Sequence, residues 1–373
     1  MRRLSIVIDA RMLNYTGIGT YLRNIVPFLN EEFRLILLGS ADEIMKFDWS
    51  AKVDVIENHT GIYSIREQLN LPIRIPKCDI LWSPNYNIPI LPTRSRKRVV
   101  TIHDVFHLTN LKSLTLPQKA YAAAMFNLSA RISDKVITVS DYSRTEILKY
   151  LRISQERVDV VHNGVDTTAF TPEVDRSLAE EVRRKYRMPD RYILFVGNMK
   201  QNKNLKNLLL AFLQLTGRNE FNDTKLVLVG KREGFITGDK DLADLLETEH
   251  QLNTNLVITG RVLDEELPYF YNRALLFVFP SFYEGFGFPP LEAMASGCPV
   301  VVSRIPPLRE VCGGAAHFVN PYDINDIAEG IARVIGDPAL RDRMIAAGLD
   351  RARELSWEKS AEKTAKIFRE MSS

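Results

Sequence analysis

Cysteine is scarce: Cys78, Cys298 and Cys312 are the three in 373 residues, far apart and without metal or redox spacing. That excludes a disulfide framework and a thiolate metal centre, and the three read as isolated reduced thiols of a cytosolic protein. Long apolar runs are missing too. None approaches the ~20 residues a bilayer-spanning helix needs. The N-terminal stretch Met1-Arg-Arg-Leu-Ser-Ile-Val-Ile-Asp9 is broken by Asp9 and Arg11, which predicts a buried first strand and no export signal. No cluster has metal spacing, and no Asp-x-Asp stands at a predicted strand end to hold a divalent ion on a diphosphate. There is no low-complexity segment and little net charge.

The small net charge of +3 is unevenly spread: residues 1–165 hold 22 Lys/Arg against 16 Asp/Glu, and the remainder 27 against 30. Much of the excess lies in Arg94-Ser-Arg-Lys-Arg98. It reads either as a surface for an anionic membrane or acceptor, or as a solvated loop ahead of a strand. Without interleaved aromatics it does not point to nucleic acid.

What is present is a soluble composition, 45% hydrophobic and 25% charged, in a chain long enough for two domains. Short β-branched runs alternate with helical patterns. In the first half the predicted strands are Leu4–Asp9, Arg34–Leu38, Val53–Glu57, Ile80–Ser83, Arg98–His103, Lys135–Val139 and Asp159–His162. In the second they are Tyr192–Val196, Lys225–Val229, Leu256–Thr259, Leu276–Phe279, Val300–Ser303 and His317–Val319. Predicted helices between the latter include Leu205–Leu215, Asp241–His250, Glu265–Ala274, Leu291–Ser296, Pro307–Val311 and Ile324–Ile335, with an amphipathic tail at Trp357–Met371. The alternation predicts parallel sheets in two doubly wound α/β domains facing a central cleft. Turn residues from His162 to Pro172 mark the seam. The expected division is 1–165 with the terminal helix 356–373, and 166–355.

Several segments carry chemistry. Glu284 and Glu292 lie eight positions apart, around Gly285, Gly287 and the helix-starting Pro289-Pro290. Loop amides and a helix N-terminus there suit anions and hydroxyl oxygens. Glu292, expected in the first helical turn, would otherwise be a charge on the helix dipole, and Glu284 an exposed loop carboxylate. Lys200 and Lys203 lie in a βα loop that would suit a pyrophosphate, or are simply solvated. Gly17 and Gly19 follow the first strand without the third glycine of a dinucleotide fingerprint. His103-Asp104 ends a strand on the ligand side and reads either as part of a site or as a satisfied structural histidine. Ser140 reads as a helix N-cap.

These segments resemble glycosyltransferase family 4, whose donor-site signature matches Glu284-x7-Glu292. Asn14-Tyr-Thr-Gly-Ile-Gly19, Thr101-Ile-His-Asp104, Val139-Ser-Asp-Tyr-Ser143, Asn163-Gly-Val-Asp166 and Gly260-Arg-Val-Leu-Asp264 fall where that family has motifs. The resemblance implies the GT-B fold and a retaining, metal-independent transferase with no cofactor beyond its nucleotide-sugar donor. It implies that Glu284 holds the transferred sugar, Glu292 the ribose, and the amides of Phe286 and Gly287 the sugar. Lys203 would neutralise the departing diphosphate, with Gly17 and Gly19 closing on it. His103 would line the sugar and acceptor side as a catalytic residue with Glu284 and Lys203, and Arg261 and Val262 would lie near the base. Many relatives have an arginine where this chain has Asn198, so Lys200 or Arg261 is the candidate second cation.

The expectation is transfer of a hexose, first mannose from GDP-mannose, to a glycan or lipid-linked acceptor in the cytoplasm, possible peripheral membrane contact coming through the basic first half. A UDP-hexose transferase, a GT-B nucleotide-sugar epimerase and a non-catalytic sugar-binding protein are the alternatives.

Overall fold

Apolar runs long enough to be buried on both faces build two parallel sheets, and in a parallel sheet both faces must be covered. The structure is a computed structural model and describes residues 3–15, 17–109, 115–230, 242, 245–246 and 249–372. The chain forms two compact units. One runs to Gly164 and takes in the segment from Trp357 onward; the other is Val165–Ser356.

The first unit carries β1 (Ser5–Asp9), β2 (Arg34–Gly39), β3 (Asp54–Glu57), β4 (Cys78–Ser83), β5 (Ser95–Thr101), β6 (Lys135–Thr138) and β7 (Val158–Val160), in the order β3-β2-β1-β4-β5-β6-β7. The second carries β8 (Tyr192–Val196), β9 (Lys225–Val229), β10 (Leu256–Gly260), β11 (Leu276–Phe279), β12 (Val300–Ser303) and β13 (Ala316–Val319), in the order β10-β9-β8-β11-β12-β13. Each is the doubly wound order whose direction reverses beside the first strand of the unit. That reversal opens a crevice at the carboxyl edge, between β1 and β4 in one sheet and between β8 and β11 in the other.

Six helices matter below: α1 (Ile18–Glu32), α2 (Ile65–Arg74), α3 (Asp141–Leu151), α4 (Leu205–Thr216), α5 (Phe288–Ala295) and α6 (Trp357–Glu370). The terminal α6 packs on the first unit through aromatic edges. Trp357 meets Tyr21 at 6.0 Å, and Phe368 meets Phe33 at 5.8 Å and Trp82 at 5.5 Å between ring centres. Arg369 closes the contact on Glu32 at 2.6 Å.

Some boundaries differ from those expected. β5 stops at Thr101, so His103 lies beyond the strand, and β7 stops at Val160. Ladder bonds continue for one residue at each end, Ile102 N–H to Ile137 O and Val161 N–H to Thr138 O, before the chain turns out. The basic stretch is not a loop ahead of a strand, because Ser95–Arg98 are the first residues of β5. α2 was not anticipated as a helix; α3 is the helix that the Ser140 cap predicted. The pattern expected over Asp241–His250 falls mostly outside the described residues, as does Thr16 of the glycine turn.

Candidate active site

At the crevice of the second sheet, the loops following β8 and β11 meet. The first is held in place by asparagines. Asn204 adopts the left-handed conformation (φ 57°) and gives its amide to Pro280 O at 2.9 Å and Pro321 O at 2.7 Å. Asn202 donates to Tyr283 O at 3.2 Å and accepts the N–H of Phe282 at 2.8 Å. These bonds set the spacing of the side chains between them. Lys203 Nζ lies 2.7 Å from Glu284 Oε1, with only 15% and 11% of the two side chains exposed. The ammonium also sits 4.9 Å from the centre of the Phe279 ring, at the end of β11. Glu284 is thus a paired, mostly covered carboxylate and not an exposed loop charge.

Glu292 has a different anchor. α5 begins at Phe288, with Pro289 and Pro290 at its second and third positions, so Glu292 is the fifth helical residue and not in the first turn. A dipole role is therefore weak, since that effect fades beyond the first turn. Tyr271 donates its hydroxyl to Glu292 Oε2 at 2.8 Å. Burial pushes the Glu292 carboxyl up to about 7; the Tyr271 hydrogen bond opposes the rise and the charge of Asp264 adds to it. Gly287, capping α5 at φ 121°, allows the turn: a Cβ there would stand 2.7 Å from a Leu308 methyl. Phe286 beside it is buried.

The remaining second-unit candidates divide by exposure. Lys200, Arg261 and Asn198 are exposed, while Val262 is buried. The turn after β10 is set by Glu266, which accepts the Leu263 N–H at 3.0 Å, the Tyr186 hydroxyl at 2.7 Å and the Lys185 ammonium at 2.5 Å. Glu266 was missed by sequence reasoning, as were Asn202, Asn204 and Tyr271. A polar residue inside an apolar pattern was the available signal for Tyr271 and Glu266.

The first sheet's crevice is built differently. Arg11 bonds Asp9 at 2.6 Å and 2.8 Å, Glu67 at 2.5 Å and Thr60 O at 2.9 Å. Asn87 completes Glu67 at 2.6 Å. Burial works against the Arg11 charge, but Asp9 and Glu67 outweigh it and hold its pKa above the usual arginine value. Around this closed cluster stand tyrosines. Tyr63, at φ 58°, takes a hydrogen bond from Asn85 at 2.8 Å and stacks on Tyr86 at 5.6 Å, which in turn stacks on Phe126 at 4.0 Å. Tyr63 and Tyr15 are 40% and 50% exposed.

His103 lies at the same edge. Its Nε2 donates to Pro84 O at 2.9 Å, leaving Nδ1 as the acceptor of a neutral ring, and burial holds its pKa below the ordinary histidine value. Its carbonyl receives the Ser143 hydroxyl at 3.1 Å, and Ser140 caps α3 by accepting the Ser143 N–H at 3.0 Å. Gly17 caps the start of α1 at φ 79°. Gly19 is required for a packing reason: a Cβ would stand 2.3 Å from Leu13 O, and its N–H is already given to Tyr15 O at 2.8 Å.

Known proteins converge on one family. Residues 16–169 match the model described as Glycosyltransferase Family 4, and residues 179–351 that described as Glycosyl transferases group 1. The O-antigen chain mannosyltransferase B of Escherichia coli is 32% identical over 308 residues, covering 78% of this chain and 74% of that protein. The chain belongs to glycosyltransferase family 4. A serotype-specific mannosyltransferase WbdA of the same organism is 28% identical over 83% of the glycosyltransferase, which spans 35% of that longer relative. Among solved structures, Anabaena Alr3699/HepE in complex with UDP-glucose superposes with a TM-score of 0.77 at 18% identity, over 98% of this chain and all of that one. The fold of the glycosyltransferase is therefore GT-B, with a Rossmann-like sheet in each unit. Among its described residues no helix is long and apolar enough to cross a membrane.

Proposed function

We propose that this glycosyltransferase moves mannose from GDP-mannose to a glycan or lipid-linked glycan acceptor, with retention of anomeric configuration and without a metal ion. The observation that carries the reading is the Lys203–Glu284 pair at the crevice of the second sheet. In the absence of donor each group compensates the other's charge, which a mostly covered ion requires. On donor binding the diphosphate takes Lys203 and the sugar hydroxyls donate to Glu284. Glu292 accepts from the ribose hydroxyls, and the amides of Phe286 and Gly287 contact the sugar. Lys200 or Arg261, both exposed, supplies the second cation.

Departure of the diphosphate is then stabilised by ammonium and amide groups, which concentrates the catalytic effect on charge that develops in the transition state. In the favoured same-face displacement the leaving phosphate takes the acceptor's proton, so the protein needs no general base. In the first unit Gly17 and Gly19 are the turn residues assigned to donor binding. Gly19 acts through backbone shape, since its N–H is committed to Tyr15. His103 lines the acceptor side as a neutral ring.

Mannose is favoured because the two relatives described above, at 32% and 28% identity, are mannosyltransferases. A UDP-hexose is the second reading, because Arg261 and Val262 do not discriminate a purine from a pyrimidine. Family membership sets aside the epimerase and the sugar-binding protein. The tyrosine stack favours a saccharide as the acceptor part that is recognised, because aromatic faces suit sugar C–H surfaces, while Arg11 beside it is already neutralised by Asp9 and Glu67. The test is donor turnover with GDP-mannose and UDP-glucose in the presence of a chelator, with the product anomer read by NMR. The reading predicts turnover of GDP-mannose, retained configuration and no chelator effect. An inverted product, or loss of activity with the chelator, would contradict it.

A further inference from the structure

The outermost strand of the second sheet borders a cationic pocket that the donor site does not use. β13 ends the strand order, so one of its edges has no strand beside it. An open cavity of about 340 Å³ lies against it, lined by Arg304, Arg309, Gly313 and Phe318. That volume is at the lower end of the roughly 300–1,000 Å³ range of small-molecule sites. Arg304 directly follows β12, and its N–H continues the ladder to Val319 O at 2.7 Å. Alternation along the strand then turns the peptide groups of Phe318 away from β12. The Arg304 guanidinium follows them and donates to Phe318 O at 3.0 Å, which fixes it at the open edge. Arg309 reaches the same cavity from the helix Pro306–Cys312.

The positive charge here is uncompensated. Arg304, Arg309 and Arg333 are exposed, and among the described residues no carboxylate bonds any of them. Burial holds the His317 imidazole of β13 below its ordinary value, and the charges of Arg333 and Arg304 push the same way against Asp326. A cation in the last turn of a helix answers the helix dipole, but the end of Pro306–Cys312 is already served. Arg351 donates to Val311 O at 2.9 Å and to Glu310 O at 2.8 Å. Arg309 is therefore not needed as a cap. This cluster also stands in the acidic part of the chain, where 27 Lys/Arg face 30 Asp/Glu from residue 166 onward.

We propose that this pocket binds the phosphoryl group of a small molecule, with the guanidinium forks of Arg304 and Arg309 on its oxygens and the Phe318 ring beside them. Arginine forks match phosphate oxygens in pairs, and two free guanidinium groups match a dianion better than a single carboxylate. An extended peptide added to β13 fits less well, because the strand has four residues and Arg304 already takes Phe318 O. Leu308 of the same helix packs on Gly287 of the donor loop, where a Cβ would stand 2.7 Å from its methyl. The pocket thus shares a helix neighbour with the donor site but no side chain, and the two can be separated by substitution. The proposal does not rest on the identity of the donor or the acceptor.

The experiment is a ³¹P NMR titration of inorganic phosphate and of glucose 6-phosphate into the parent chain, Lys203→Ala and the double variant Arg304→Gln, Arg309→Gln. The parent and Lys203→Ala should bind alike, and the double variant at least about tenfold more weakly. Tighter binding of glucose 6-phosphate would assign the ligand as a phosphate ester, and tighter binding of inorganic phosphate would assign it as the free ion. Thermal melting and donor hydrolysis of the double variant without added phosphate should match the parent, since both arginines are exposed and outside the donor crevice. Binding of neither probe, or equal binding by the double variant, would overturn the proposal. So would loss of binding in Lys203→Ala, which would place the phosphate at the diphosphate site, or loss of donor hydrolysis in the double variant.

Discussion

The two sheet crevices share one topology and differ in how they treat charge. At the first, Arg11 is enclosed by Asp9 and Glu67, with 4%, 7% and 0% of the side chains exposed, and all three guanidinium nitrogens of Arg11 are bonded. At the second, Lys203 and Glu284 form a single pair with partial exposure, and Glu292 leans on one tyrosine with its pKa raised. A closed network fixes a loop. A single, partly exposed pair is one that a ligand can take over, because the ligand replaces one partner with another of the same charge. The doubly wound order supplies the crevice twice; side chains decide which holds charge in reserve.

That contrast can be broken at either crevice. The largest effect expected on folding is at Arg11. Arg11→Met leaves two buried carboxylates uncompensated and should cost about 3–5 kcal/mol in urea unfolding, with little change in nucleotide binding to the folded protein. A loss below about 1 kcal/mol would mean that the cluster is not the structural lock described.

Next, Glu284→Ala should reduce transfer by about a hundred- to a thousandfold while leaving GDP affinity nearly as it was. Equal loss of GDP binding would move Glu284 from the sugar to the nucleotide. Turnover close to the parent's would remove it from the site.

The smallest effect concerns Glu292. Its folded pKa lies above the unfolded carboxylate value, so the folded state binds the extra proton. Its contribution to stability is then fully present below about 4.5 and is lost as pH rises through about 7. The melting temperature of the parent should therefore fall across that window relative to Glu292→Gln. Ribose hydroxyls that donate to the carboxylate favour its ionised form. GDP binding near neutral pH should thus release protons, seen as a buffer-dependent enthalpy that Glu292→Gln abolishes. Parallel pH curves for the two proteins would contradict this account of Glu292.

The sheets were readable from the chain because a strand buried on both faces is an uninterrupted apolar run, as in Tyr192–Val196 and Val300–Ser303. α2 was not, since Ile65, Leu69 and Ile73 blur the periodicity that would mark one inward face. The meeting of Lys203 with Glu284 could be expected from resemblance but not from spacing: it depends on β8 and β11 being neighbours, and on Asn202 and Asn204 tying their loops together. The helical position of Glu292 was misplaced by one boundary. The prolines lie inside the first turn of α5 and not before it, which carries Glu292 past the reach of the helix dipole to Tyr271.

The central claim is that Lys203 at the second crevice binds the diphosphate of a nucleotide donor. Calorimetric titration of GDP and UDP into the parent protein and Lys203→Ala tests it most directly. The account predicts binding of a nucleoside diphosphate by the parent, GDP before UDP. It also predicts a loss of at least about tenfold in the variant, the size of one charged hydrogen bond. Binding of neither diphosphate, or equal binding by Lys203→Ala, would contradict it.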